Sequence, residues 1–151
     1  MSNSKIQEGD TIPAFQLQDQ DGNLIDSNSL AGQAFVLYFY PKDDTPGCTA
    51  EACSFRDAIE DFKGVGATVI GVSADSPESH KAFAAKYRLP FTLLSDKGNK
   101  LRKQFGVPGG LFGLLPGRVT YVVDQQGVVQ KIFSSQLQVN KHVSEALEAL
   151  G

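Results

Sequence analysis

Residues 35–40 are apolar or aromatic at every position and stop at Pro41, the pattern of a central strand covered on both faces. Residues 67–72 read as a second buried strand and 91–94 as a shorter one. Upstream, residues 15–25 predict a hairpin, because Gln20, Asp21, Gly22 and Asn23 place turn chemistry between two alternating segments. Between the first two buried strands, Ala52, Phe55, Ile59 and Phe62 recur at helical spacing. That predicts a helix over 48–63, entered from a turn-rich loop at 41–47. Ser76 followed by Pro77 is an N-cap before the residue best tolerated at a first helical position, so another helix starts there. Residues 97–105 predict a short helix, whereas 106–117, with five glycines and two prolines, must be loop. Residues 119–123 and 128–133 predict strands joined by a turn at 124–127, and a helix over 142–150 closes the chain.

Strands alternate with helices early, and a hairpin plus helix ends the chain. Periodicity alone gives a three-layer α/β fold. By analogy, the order is similar to the thioredoxin fold with an N-terminal β-hairpin extension. The 151 residues are the size of one domain, read here as 1–151. A net charge of -3 with no block of Lys or Arg recruits neither nucleic acid nor an anionic membrane. The apolar runs fall far short of the roughly 20 residues a spanning helix needs. The first residues lack the basic and apolar regions of a signal peptide and are too few for a transit peptide. The cytoplasm is therefore the expected home, or a plastid if a leader has been removed.

Two cysteines make no disulfide framework, but Cys48 and Cys53 lie close together in the chain. Cys48 sits where a loop leaves the C-terminal end of a buried strand and enters a helix, the edge at which open α/β sheets bind ligands. A helix N-terminus offers unpaired N–H groups and partial positive charge, and both favour a thiolate. Gly47 lets backbone approach a ligand closely, and the Gly47 and Cys48 N–H groups can hold charge developing on a departing oxygen. Thr45 carries a hydroxyl able to donate to the thiolate while accepting from a bound ligand's hydrogen. Pro41 and Pro46 stiffen the loop. Taken alone, a buried structural cysteine beside a helix cap is an equal reading of Cys48.

The run Tyr40-Pro41-Lys42-Asp43-Asp44-Thr45-Pro46-Gly47-Cys48-Thr49-Ala50-Glu51-Ala52-Cys53 resembles the active-site signature of peroxiredoxins, and more narrowly of the peroxiredoxin Q or bacterioferritin comigratory subfamily. Residues 9–22, 91–96 and 115–124 also resemble family segments, so the likeness covers nearly the whole chain. Residues 115–124 and 130–138 are most similar to chloroplast and cyanobacterial members.

The resemblance implies a thiol peroxidase acting on hydrogen peroxide and organic hydroperoxides, without metal or cofactor. Carried over by position, Cys48 matches the peroxidatic cysteine, Thr45 and Pro41 the family's threonine and proline, and Arg118 the arginine completing the site. Gly47, Cys48, Thr45 and Arg118 then bind substrate. Cys53 matches the resolving cysteine of many members, which implies an intramolecular disulfide reduced by thioredoxin or a similar dithiol. A monomer is implied as well.

Residues five apart on an ideal helix have α-carbons about 8.7 Å apart, beyond the roughly 7 Å limit for a disulfide. The first turns of the helix are therefore expected to unwind after oxidation. Other readings are a peroxide sensor, which shares the chemistry, and a thioredoxin-like exchange or binding module, which would need Cys-x-x-Cys. Zinc held by Cys48, Cys53, His80 and His142 has the wrong spacing for common modules, and both histidines are expected at the surface. Leu111, Phe112, Leu114 and Leu115 are placed equally well as a pocket wall, as core cover or at a subunit contact. Glu51 and Arg56 can form a supporting polar network or a solvated helix face.

Overall fold

The six-residue strand β3, Ala34–Phe39, lies at the heart of the molecule because its two faces are both apolar. Val36 and Tyr38 point to one side, and Phe35, Leu37 and Phe39 to the other. The computed structural model describes residues 5–107 and 117–151. Around β3 the chain runs β1 (Gln16–Gln18), β2 (Leu24–Asp26), β3, α1 (Pro46–Asp57), α2 (Ile59–Gly64), β4 (Ala67–Ser73), α3 (Pro77–Tyr87) and β5 (Thr92–Ser95). It continues through α4 (Lys100–Phe105), β6 (Val119–Val123), β7 (Val129–Ser134) and α5 (Val139–Leu150).

The strands form one sheet in the order β2-β1-β5-β4-β3-β6-β7. β3, β4 and β5 run parallel, as their helical crossovers require, while β6 lies antiparallel to β3 and β7 antiparallel to β6. This is the three-layer thioredoxin-like layout, with the β1–β2 hairpin added at the β5 edge. One core unites α1, α2, α3 and α5 with Val36, Tyr38, Val69, Leu93 and Val122 of the sheet. The opposite face packs Leu101 and Phe105 of α4, together with Phe15, on Leu37, Phe39, Val72 and Tyr121.

Three elements differ from the periodicity. The helix expected over 48–63 begins earlier, at Pro46, and breaks at Ala58 into α1 and α2. Proline at the first helical position needs no N–H, so Pro46 and Gly47 continue the helix where turn chemistry suggested loop. The helix expected over 97–105 is a 3-10 turn at Lys97–Asn99 followed by α4, because Gly98 and Asn99 both take positive φ. The closing helix starts at Val139 rather than at residue 142.

Candidate active site

Pro46 has no N–H, and the Thr49 N–H donates to the Thr45 carbonyl at 2.8 Å. The first turn of α1 therefore leaves the Gly47 and Cys48 N–H groups without an intrahelical partner. Thr45 is the N-cap residue, yet its side chain does not cap: its hydroxyl donates back to the Lys42 carbonyl at 2.9 Å. The hydroxyl proton expected to serve the thiolate is thus engaged within the loop, and the oxygen's lone pairs remain as acceptors.

Cys48 occupies this first turn and is 2% exposed, packed in the same core as Tyr38, Tyr40 and Phe55. Arg118, immediately before β6, brings Nη1 to 3.5 Å from Cys48 Sγ and 2.7 Å from Glu51 Oε1. Its Nε donates to the Gln136 carbonyl at 3.2 Å, which fixes the plane of the guanidinium. Gly47 faces the same group, since a Cβ there would lie 2.9 Å from Arg118 Nη2. A side chain there would push the guanidinium away from the position that Gln136 and Glu51 hold it in.

Burial works against the Arg118 charge, but Glu51 and Cys48 more than offset it, so the proton is held more tightly than in water. Glu51 is fully buried, and burial pushes its carboxyl up to about 8 against the pull of Arg118. Its Oε2 has no hydrogen-bond partner among the described residues and lies 3.6 Å from His142 Nδ1.

His142, expected at the surface, is fully buried. It starts a helical face with Val143 and Ala146 that packs inward, so its polarity gave the wrong sign for its location. Nε2 lies 2.8 Å from the Ser135 carbonyl, which can only accept, and Nδ1 lies 2.7 Å from Thr120 Oγ1. That is a neutral imidazole with its hydrogen on Nε2, in keeping with burial driving its value down to about 4.

His80 is also fully buried, contrary to expectation, three residues before Phe83 on the inward face of α3. Its Nδ1 lies 2.7 Å from Asp43 Oδ2 and its Nε2 2.9 Å from the Leu94 carbonyl. Asp43 further accepts from Tyr40 Oη at 2.6 Å and Ser79 Oγ at 2.8 Å, while its N–H donates to Asp75 Oδ2 at 2.8 Å. The donor atoms of Asp43, Asp75 and His80 lie within 4.8 Å of one another, already engaged with protein partners. They brace the loop that precedes Cys48. Next to them Asp44 takes φ 58, a conformation aspartate tolerates, and is held by Lys86 Nζ and Tyr87 Oη, each at 2.9 Å.

The structure therefore brings Thr45, Gly47, Cys48 and Arg118 to one helix N-terminus and adds Glu51, whose depth the sequence left open. Pro41 begins the loop just beyond Tyr40 and is partly buried. Cys53 is a free thiol of intermediate burial farther along α1. Arg56 turns away, donating to the Tyr87 carbonyl at 2.7 Å and to Asp57 at 3.0 Å. Asp43, His80 and His142 were missed as site supports. The inward spacing of each histidine with an apolar neighbour was the signal available. Residues 111–115, read equally as a pocket wall, as core cover or as a subunit contact, lie outside the described residues.

The AhpC/TSA family profile matches residues 8–132. Peroxiredoxin Q, chloroplastic, of Populus jackii is 57% identical over 147 residues, covering 97% of this chain and 69% of that protein. The crystal structure of peroxidoxin BcpB from Mycobacterium tuberculosis superposes with a TM-score of 0.88 at 38% identity, covering 96% of each chain. The bacterioferritin comigratory protein of Xanthomonas campestris, solved as trapped intermediate and ligand complexes bearing on its alkyl peroxide reduction activity, superposes at 0.83 with 31% identity, over 93% of this chain and 97% of that one. A buried cysteine at an open helix N-terminus, faced by an arginine, thus sits in a chain that belongs to the AhpC/TSA family and, within it, to the peroxiredoxin Q group.

Proposed function

We propose that the protein is a thiol peroxidase in which Cys48 reduces hydrogen peroxide and alkyl hydroperoxides. The observation carrying this reading is Cys48 Sγ at 3.5 Å from Arg118 Nη1, in the first helical turn, where the Gly47 and Cys48 N–H groups have no intrahelical partner. The Cys48 thiolate attacks one peroxide oxygen as the O–O bond breaks. The sulfur gains that oxygen as a sulfenic acid, and the departing alkoxide or hydroxide takes a proton to become alcohol or water. The Gly47 and Cys48 N–H groups and Arg118 hold the developing charge. Thr45 Oγ1 accepts from the peroxide hydrogen, and Pro41 keeps the loop rigid.

Cys53 then attacks the Cys48 sulfur, releasing water and forming a disulfide, and an external dithiol such as thioredoxin returns both thiols by exchange. Residues 1–151 act as one thioredoxin-like domain, and a monomer carries both cysteines of the cycle. The relatives' chloroplastic names favour a plastid home over the cytoplasm first expected. Either compartment keeps Cys48 and Cys53 reduced between turnovers.

Reduced protein mixed with one equivalent of hydrogen peroxide, without reductant, is expected to consume it and lose both thiols. Cys53→Ser is expected to stop at a trappable sulfenic acid. Slow consumption with both thiols intact would reject the reading.

A further inference from the structure

We propose that Arg102 is a positioning residue for the peroxidase reaction, one guanidinium setting the two chain ends that deliver the nucleophile and its arginine. Nη2 of Arg102 donates to the Tyr40 carbonyl at 3.0 Å, and Nη1 donates to the Gly117 carbonyl at 2.7 Å. Tyr40 is the residue from which the Cys48 loop leaves the sheet, one before Pro41. Gly117 is the residue immediately before Arg118.

These two carbonyls lie just past the last rung of an antiparallel ladder. β3 and β6 pair through Phe39 opposite Val119 and then part. Beyond that point no backbone bond ties the Cys48 loop to the Arg118 segment among the described residues. The guanidinium replaces the missing rung. Its planar fork presents two nitrogens at a fixed divergence, which a single ammonium nitrogen cannot reproduce.

Arg102 is itself held firmly. It is 7% exposed, and its guanidinium carbon lies 5.6 Å from the Phe39 ring centroid. The carboxylate of Asp96 accepts from the Leu101 and Arg102 N–H groups at 2.8 and 2.9 Å, fixing the start of α4. Burial weakens the hold of Arg102 on its proton, and Asp96 opposes that effect. A buried cation spent on two carbonyls, with no carboxylate in ion-pair contact among the described residues, is costly unless those carbonyls matter.

The inference rests on Cys48 as the peroxide-reactive thiol, so wild-type peroxide consumption is measured beside the variants; its absence would sink that reading. Arg102→Met and Arg102→Lys are each assayed for the second-order rate with hydrogen peroxide and for the rate of Cys48 alkylation by iodoacetamide, resolved by mass spectrometry. A displaced Arg118 lowers the thiolate fraction that both reagents read, and it also withdraws the donor to the peroxide oxygens that only the peroxide rate reads, whereas mere loosening of the fold raises access to both reagents. In Arg102→Met the peroxide rate is expected to fall at least about tenfold, with alkylation changed far less. Arg102→Lys, which reaches one carbonyl at a time, is expected to recover only part of the loss. A peroxide rate in folded Arg102→Met within about twofold of wild type, or an equal fall in both rates, would overturn the proposal. If Arg102→Met does not fold, a wild-type peroxide rate in Arg102→Lys overturns it instead.

Discussion

Glu51 and His142 face each other at the bottom of the site, and burial drives their proton affinities apart. Burial raises Glu51 from 4.5 to about 8, so the folded chain binds that proton more tightly than the unfolded one. Its stabilisation is complete below pH 4.5 and is lost as pH rises through about 8. His142, lowered from 6.5 to about 4, acts oppositely: its contribution is complete above pH 6.5 and is lost as pH falls through about 4. Between pH 4.5 and 6.5 the two slopes oppose, and between 6.5 and 8 Glu51 acts alone. The reduced protein is therefore expected to lose about 2 kcal/mol of stability across that upper window, at about 1.4 kcal/mol per pH unit. Urea unfolding at pH 6.5, 7.25 and 8 measures it. In Glu51→Gln, which has no proton to release, the decline should flatten; a decline of unchanged slope would assign it to another group.

At the scale of elements, α1 carries the reaction's geometric difficulty. Cys48 and Cys53 are both free thiols inside one continuous helix, Pro46–Asp57. An intact helix keeps α-carbons five residues apart at about 8.7 Å, too far for a disulfide. The helix is also weakly anchored at its start, with no side-chain cap and with Thr45 turned back onto Lys42. Oxidation replaces a thiolate by a neutral sulfenic acid and removes the charge that the helix N-terminus and Arg118 favour. Amide hydrogen exchange across residues 46–58 is expected to speed up on oxidation and to recover on reduction; equal protection in both states would mean that the helix does not open.

The same helix shows what a sequence can disclose. Ala52, Phe55 and Phe62 marked its buried face, and all three are in the core. The break at Ala58 was invisible, because the apolar spacing runs through it unbroken, from α1 into an α2 that packs on β4. Cys48 and Gly47 were legible because each residue type is tied to a chemical task, and Arg118 only through the resemblance to the family. Glu51, His80 and His142 were not, since a polar residue on a helix reads as solvated until the fold supplies its partner. Arg102 gave no sign at all, because its partners are backbone carbonyls, which every residue possesses.

Across the whole molecule, Asp43 is the knot between the site and the framework. Its carboxylate joins Tyr40 at the end of β3, Ser79 and His80 on α3, and through His80 the carbonyl of Leu94 on β5. Both ring nitrogens of His80 face acceptors, a carboxylate and a carbonyl, so the Asp43–His80 pair holds one proton more than a carboxylate beside a neutral imidazole. Asparagine fits this environment without that proton. Its oxygen can accept from Tyr40, and its amide can donate to Ser79 Oγ and to a His80 Nδ1 freed to accept, while Nε2 still serves Leu94. Alanine removes the carboxylate acceptor from the buried Tyr40 and His80 and from the half-buried Ser79. Asp43→Asn is therefore expected to cost about 1 kcal/mol, and Asp43→Ala about 3 kcal/mol. The loop to Cys48 is released only in the second variant, so the peroxide rate should drop in Asp43→Ala well beyond any change in Asp43→Asn. Urea unfolding and peroxide consumption on both variants decide the matter. Equal stability and equal rates in the two would show that the loop is held by its other contacts, to Asp75, Lys86 and Tyr87.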